Sequence, residues 1–392
     1  MLTLDTFRQL LTPTGQAALA AAQSLQPVDA TLLRDLATLR SSFTPELASA
    51  ALETVLLRQR ARAKFSRADR MYFTREALEQ ASGERVARQR ALRYRDVDGP
   101  IYDVCCSIGG DGLSLAETGL AVVGLDIDPL RLAIAEANAA VYAVAERVTF
   151  QLVDVRTWAV PQGAYVFFDP ARRSGGRRRW QPEDYEPPLS LIEAWLPRAA
   201  GIGVKVAPGI DYDALPYDCE VEVVSVAGDV KEACLWFGAL RRSTRSAVLL
   251  PEGHTLHAVP TPPIPVVAPL AYVYEPDGAV IRAHLVEQLA QQLSAAKIDE
   301  SIAFLTTDTL IATPFARAFR VLETMPFNLK RLRARLRDLG VGQVVIKKRG
   351  SPIDPQVLEK QLRLQGQRAL TIILTHVQGQ PSVLLCEPVP SA

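Results

Sequence analysis

The sequence predicts an α/β protein: a doubly wound, mostly parallel sheet with one antiparallel edge strand, preceded by a helical domain and followed by a small α+β tail. Three observations predict it. Between residues 99 and 247, short and nearly continuous apolar runs alternate with helical patterns, as strands buried on both faces do. Residues 1–98 carry a helical rhythm and no strand-like run. A proline-rich break, AVPTPPIPVVAP, reads as a stiff linker before a second set of elements.

In the first part, SSFTPELASAALETVLLRQRARAKF places Leu47, Ala51, Leu52, Val55 and Leu56 on one helical face. Thr44 before Pro45 and Glu46 reads as an N-cap with proline at the first helical position. The opening MLTLDTFRQLL is amphipathic with an early Asp5, unlike a secretory signal. Past residue 99, IYDVCC is a strand, GLSLAETG a helix closed by Gly119, and AVVGLDI a buried strand. Asp128 and Pro129 open DPLRLAIAEANAAVYAVA, where Leu130, Ile134, Ala137, Val141 and Val144 form an inward stripe. RVTFQLVD and AYVFFD are strands, PLSLIEAWLPRA a helix and GIGVKVA a strand. CEVEVVSVAG and VKEACLWFGALR, separated by Asp229, should pair as an antiparallel hairpin at the sheet edge. After the break, VIRAHLVEQLAQQLSA and FNLKRLRARLRDLG are helices, VGQVVIKKR a strand and PQVLEKQLRLQ a helix. ALTIILTHVQGQPSVLLCE is a hairpin turning at Gln378 and Gly379. The expected domains are residues 1–98, 99–247, 265–320 and 321–392.

Of the 392 residues, 48% are hydrophobic and 22% charged, enough for more than one sizeable core. No uncharged apolar run approaches ~18 residues, so no membrane span is expected. The cysteines (105, 106, 219, 234, 386) form no CxxC, and the histidines (254, 257, 284, 376) fall in no ligand spacing. Neither a disulfide framework nor a metal is expected, and a reducing cytoplasm is the simplest location. The net charge of +1 hides a segregation. Twelve Arg or Lys lie between Arg58 and Arg95, interleaved with Phe65, Tyr72, Phe73 and Tyr94. ARRSGGRRRW carries Arg172, Arg173, Arg177, Arg178 and Arg179; NLKRLRARLRD and Lys347–Arg349 are basic too. Clustered cations suit a phosphate-rich partner through counterion release; solvated helix faces are the alternative.

Asp103–Gly112 reads DVCCSIGGDG, a turn between a strand and a helix. A disulfide, a metal site and a nucleotide loop are the three candidates. In open parallel sheets a ligand meets the turn after the first strand, and its close approach demands small residues, here Cys105, Ser107, Gly109 and Gly110. The cysteines read as packing residues of a nucleotide loop; a tight turn binding nothing is the alternative. Asp126, twenty-three residues after Asp103, is placed to accept both hydroxyls of a ribose. Asp128 reads as a helix cap. Asp154 ends the third strand, where it can reach an adenine amino group, and the fourth ends in FFDPARR at Asp169. Carboxylates at four successive strand ends face a crevice and need a partner.

At these residues the sequence resembles the class I S-adenosylmethionine-dependent methyltransferases, with DVCCSIGGDGLSLA similar to their first motif. VVGLDIDPLRLAIAEANAAVYAVAERVTFQLVD is similar to the trimethylguanosine synthase group of RNA cap enzymes, through Asp126, Asp128, Pro129, Asn138, Ala139, Val141, Tyr142 and Asp154. The flanks AKFSRADRMYFTREALEQASGERVARQRALRYRD, IATPFARAF and GVGQVVIKKRGSPIDPQVLEKQLRLQGQRALTIILT resemble a bacterial methyltransferase family with a C-terminal THUMP-like domain. The resemblance implies a Rossmann-like methyltransferase sheet, a ferredoxin-like segment before a THUMP-like tail, S-adenosylmethionine as cofactor and RNA as partner. It implies cofactor contacts at Asp103, Cys105, Ser107, Ile108, Gly109, Asp126, Ile127, Asp154, Val155 and Asp169. Asp169 with Pro170 would be catalytic, with Lys205 a second candidate and Arg172, Arg173, Arg177, Arg178 and Arg179 as phosphate contacts; the alternatives are that Asp169 caps the loop after the fourth strand and that the arginines form a flexible charged loop.

Two departures stand out. Cys105, Cys106 and Ser107 replace glycines and are less permissive of positive φ. Base amino-methyltransferases carry two prolines and an aromatic after the fourth-strand acid, where this chain has Pro170, Ala171 and Arg172; Trp180 or Tyr185 would have to supply the ring. An RNA methyltransferase leads. The rivals are a cofactor-binding RNA module without catalysis and a methyltransferase for a protein or small molecule. The oligomeric state is not legible.

Overall fold

The computed structural model describes residues 2–172 and 182–389. The chain divides into two compact units, residues 1–221 with 232–242, and residues 222–231 with 243–392.

The first unit begins with six helices: α1 (Leu4–Leu10), α2 (Pro13–Ser24), α3 (Leu32–Arg40), α4 (Pro45–Ala61), α5 (Arg75–Gln80) and α6 (Glu84–Ala91). Threonine starts four of them. Thr3, Thr12, Thr44 and Thr74 each accept a backbone N–H three residues on, satisfying a donor the helix itself leaves open. Pro13 and Pro45 occupy the first helical turn, as expected at Pro45.

Strands β1 (Ile101–Val104), β2 (Val122–Asp126), β3 (Val148–Leu152), β4 (Tyr165–Phe168), β5 (Gly201–Val206), β6 (Glu220–Val226) and β7 (Asp229–Gly238) run in the order β3-β2-β1-β4-β5-β7-β6. The first five pair in parallel, and β7 runs antiparallel to β5. This is the predicted doubly wound sheet. Helices α7 (Gly110–Glu117), α8 (Pro129–Val141) and α9 (Leu191–Trp195) connect its strands. Asp128 caps α8, accepting from Leu130 and Arg131 N–H. The inward stripe of α8 differs from the expected one: Leu132, Ile134, Ala135, Asn138 and Ala139 are buried. Leu130, Ala137 and Val141 are only partly covered, because α1 also packs on this helix and shares its burial between two sides. One core runs unbroken from Phe7, Leu10 and Leu52 to Ile134, Phe167 and Trp236, so the helices and the sheet fold around shared apolar surface.

The hairpin expected at the sheet edge is present, but β6 is not outermost. Within the second unit, Ala227 N–H donates to Leu250 in β8 (Arg245–Leu250), which pairs antiparallel with β9 (His254–His257). Nearly every residue of β6 is buried, and a buried strand needs its free ladder covered. The proline-rich stretch is pinned at Pro265 and Val267 to Lys297.

The rest of this unit is a seven-stranded sheet: β10 (Tyr272–Pro276), β11 (Ala296–Lys297), β12 (Leu305–Thr307), β13 (Ala316–Pro326), β14 (Val341–Lys348), β15 (Arg368–Val377) and β16 (Gln380–Pro388). Between β10 and β11 the one helix expected is two, α10 (Gly278–Arg282) and α11 (Val286–Gln292), because His284 takes a positive φ of 56° and breaks it. Its order is β11-β12-β10-β13-β16-β15-β14. β14 and β15 are parallel, joined through α13 (Pro355–Leu362), and β15 and β16 form the hairpin predicted at Gln378 and Gly379, both with positive φ. Helix α12 (Leu329–Asp338), capped by Asn328, buries Leu332 and Leu336 against this sheet. Among the described residues no helix is long and apolar enough to cross a membrane.

Candidate functional site

The loop between β1 and α7 is built from left-handed residues in alternation: Cys105 (φ 63°), Ser107 (φ 49°) and Gly109 (φ 83°). Only glycine takes this region without steric cost, so two of the three positions are held by their surroundings. Ser107 N–H donates to Asp126 Oδ2 at 2.9 Å, and Cys106 N–H to the Leu125 carbonyl at 3.0 Å. Gly109 sits so close to α8 that an added methyl would lie 3.3 Å from the Ala135 side chain. Cys106 is buried in packing, as read from the sequence. Burial, then the charges of Asp126, Asp169 and Asp103, push the Cys105 thiol well above its ordinary range, so it stays protonated.

Asp126 is 5% exposed, and its second oxygen accepts Asp128 N–H at 3.0 Å. The carboxylate is fixed by two backbone donors and keeps further lone pairs for a ligand. Beside it Ile127 is 60% exposed, and Leu152, its strand-end neighbour on β3, is 62% exposed. Large apolar side chains this exposed are open to a ligand at the strand ends. Val155 is buried, and Asp154 is held by Arg156 through contacts of 2.8–3.2 Å. Ile108 turns its side chain into the core.

Asp103 departs from the expectation that strand-end carboxylates face the crevice. It is 1% exposed beneath α7, where an added methyl on Gly112 would lie 2.7 Å from Oδ2. Burial, then the charges of Asp111 and Asp169, push its carboxyl well above the usual range. Both of its carboxyl oxygens are buried, and neither has a hydrogen-bond partner among the described residues.

Asp169, at the end of β4, forms a salt bridge of 2.8 Å with Lys205 near the end of β5. Burial works to lower the Lys205 pKa, but Asp169, Glu232 and Asp111 together hold it above the ordinary lysine range. Lys205 also donates to the Gln80 carbonyl at 3.3 Å, and Lys64 donates to the carbonyls of Leu78, Glu79 and Ala81 at 2.7–3.1 Å. The acid and both lysines are thus gathered around the end of α5. Pro170 is buried, and Ala171–Arg172 pairs antiparallel with Tyr185–Glu186. Tyr185 is 1% exposed with its hydroxyl accepting Ala207 N–H, so it is not the missing stacking ring. Arg173, Arg177, Arg178, Arg179 and Trp180 lie outside the described residues, as does the side chain of Arg172.

Behind the site Arg90 is buried between Asp111, Glu232 and Ser82, with its guanidinium over the Phe167 ring. Arg93 pairs with buried Glu220. Arg58 donates to backbone carbonyls, and Phe65, Tyr72, Phe73 and Tyr94 are all buried. Arg58, Arg90 and Arg93 thus serve the fold, while Arg60, Arg62, Arg70, Arg75, Arg85, Arg88 and Arg95 of the same run are exposed. Asn138 is fully buried; it accepts Tyr72 N–H and donates to the carbonyls of Tyr72 and Ile108, tying the helical segment to the loop.

Known proteins match this chain in three ways. Family models match at residues 99–174 (RNA cap guanine-N2 methyltransferase), 316–388 (THUMP domain-like) and 3–61 (a domain of unknown function). An uncharacterised S-adenosylmethionine-dependent methyltransferase of Mycobacterium tuberculosis, from strains CDC 1551 and H37Rv alike, is 38% identical over 338 residues, covering 83% of this chain and 92% of that protein. A crystal structure of a candidate methyltransferase from Porphyromonas gingivalis W83 superposes with a TM-score of 0.74 at 22% identity, covering 89% of this chain and 92% of that one, and shows the same fold.

Proposed function

The chain belongs to the S-adenosylmethionine-dependent methyltransferases, and from that premise we propose that it methylates RNA, with Asp169 at the acceptor end of its crevice. The cofactor, when bound, supplies an electrophilic methyl group on a sulfonium. The residues fit it. Exposed Ile127 and Leu152 suit the faces of an adenine. Asp126, already fixed by Ser107 and Asp128, has lone pairs left for ribose hydroxyls. Asp154 would take the adenine amino group, which requires it to share or leave Arg156. The backbone of Cys105–Gly109 admits close approach.

Methyl transfer is an in-line displacement, so the protein's work is chiefly orientation and handling of the acceptor's proton. Asp169 Oδ2 is held by Lys205, while Oδ1 makes no hydrogen bond to a described residue and is available to the acceptor. The observation that carries the RNA reading is α12, inside the THUMP-like match. It buries Leu332 and Leu336 and turns Lys330, Arg331, Arg335 and Arg337 to solvent. Such a face binds phosphates by releasing their counterions.

The test is transfer from methyl-labelled S-adenosylmethionine to total cellular RNA, followed by nuclease or protease. Label that nuclease releases and protease does not is expected. Protease-sensitive label would mean a protein acceptor, and no macromolecular label would overturn the RNA reading.

A further inference from the structure

We infer that the second unit carries a phosphate pocket, in which the guanidinium groups of Arg333, Arg337 and Arg363 grip one phosphate of the RNA; this rests on the RNA reading above and adds a built site to the open face of α12. Helix α12 sets Arg333 and Arg337 four residues apart, on one side and one turn from each other. Helix α13 ends at Leu362, and Arg363 follows it in the left-handed region, at φ 49°. Glycine commonly fills such a position without steric cost; here an arginine takes it. The three side chains line one pocket of about 190 Å³ that opens to solvent. The rest of its wall is three apolar side chains and Gln365, with no acid. Of the carboxylates on the two helices and the neighbouring strand, Glu323 is paired with Arg335, and Asp338 and Glu359 are exposed and form no ion pair with a described residue.

Arginines near helix ends often serve the open carbonyls there. Among these three, one such bond forms, from Arg333 Nη2 to the Gln361 carbonyl. Arg333 Nε is buried with no hydrogen-bond partner, and the guanidinium groups of Arg337 and Arg363 bond to no described residue. Three cations gathered with most of their donors unspent repel one another. A phosphate seated among them removes that repulsion and takes the donors in pairs. The wall behind is fixed. Gln367 and Arg368 N–H both donate to the Gly340 carbonyl, at 3.1 and 3.0 Å. A methyl on Gly342 would collide with the Gly366 carbonyl, and one on Gly366 with the Gly340 carbonyl, so the chain after Arg363 lies clamped to the start of β14.

A guanidinium that grips a phosphate through its fork differs from one that only adds charge to a surface in what lysine does in its place. Lysine keeps the charge and loses the paired donors. The experiment measures binding of fluorescently labelled total cellular RNA to the full-length protein over a series of salt concentrations. Arg333→Lys and Arg363→Lys should each weaken binding about ten- to a hundredfold with the salt slope unchanged, while Arg331→Lys, on the open face, should match wild type. Equal binding by wild type and both pocket variants overturns the pocket and leaves the RNA reading intact. No binding by wild type overturns that reading and this inference with it. Treating the RNA with phosphatase beforehand separates the two sources of the phosphate. A chain-end phosphate predicts that wild type falls to the level of Arg363→Lys, and an internal one that wild type is unchanged; both keep the pocket. A second measurement needs no variant: RNA should protect Arg333, Arg337 and Arg363 of the wild-type protein from phenylglyoxal, read by mass spectrometry. Full reactivity of all three in the complex overturns the inference.

Discussion

Replacing Asp126 by alanine removes two charge-assisted hydrogen bonds at once, from Ser107 N–H at 2.9 Å and Asp128 N–H at 3.0 Å. Each such bond is worth ~1.5–3 kcal/mol, and at 5% exposure little water is at hand to replace them. Ser107 would also lose the anchor that holds its left-handed backbone. Asp126→Ala should therefore lower stability by ~3–5 kcal/mol, a drop in Tm of roughly 6–20 °C for a unit of this size. Cofactor affinity should fall by a further ~2–4 kcal/mol, about thirty- to a thousandfold, as the ribose loses its acceptor. Denaturant titration reads the first effect and calorimetry with S-adenosylmethionine on the still-folded variant reads the second. Asp126→Asn, which keeps the shape without the charge, should fall between. Unchanged cofactor affinity in a folded alanine variant would refute the ribose role, and unchanged stability would refute the account of the loop.

Asp169→Ala should abolish turnover with cofactor affinity within about threefold of wild type, since its contact matters in the transition state; single-turnover kinetics beside calorimetry decides this. Arg90→Met should destabilise the first unit by ~3–5 kcal/mol, because Asp111 and Glu232 would be left buried without their cation; denaturant titration measures it. Burial pushes the Asp111 carboxyl up to about 6 despite Arg90 beside it, so between the ordinary carboxylate range and pH 6 the folded state binds more protons than the unfolded one. Its contribution to stability must then weaken as pH rises through that window, and the difference between wild type and Asp111→Asn, followed by denaturant titration from pH 4 to 7, should show this slope. Reversing Arg331 and Arg337 on α12 to glutamate should weaken RNA binding and flatten its salt dependence, leaving cofactor affinity intact; filter binding at several salt concentrations reads it.

The sheet was legible because its strands are apolar on both faces and Asp128 with Pro129 marks the start of α8, so local chemistry and global fold agree. Asp126, Ile127 and the small-residue loop were legible for the same reason: strand ends in a parallel sheet have a fixed relation to the crevice. What stayed hidden depended on contacts distant in sequence. Lys205 meets Asp169 only because β4 and β5 are neighbours, and Lys64 joins them only because α5 folds over that edge. Asp103 looked like Asp126 in sequence but lies under α7, where Gly112 leaves just enough room for it. In the run 58–95, charge composition does not reveal that Arg90 and Arg93 have buried carboxylates waiting at Asp111, Glu232 and Glu220.

The central claim is transfer from the cofactor at these strand ends to RNA, and a single-turnover measurement tests it most directly. The protein is loaded with one equivalent of methyl-labelled S-adenosylmethionine, confirmed bound by calorimetry, and mixed with excess cellular RNA. The account predicts that label moves into nuclease-sensitive material while an equal amount of S-adenosylhomocysteine appears, and that the Asp169→Ala variant binds the cofactor but moves none. Bound cofactor whose label stays in place against every RNA pool would contradict it.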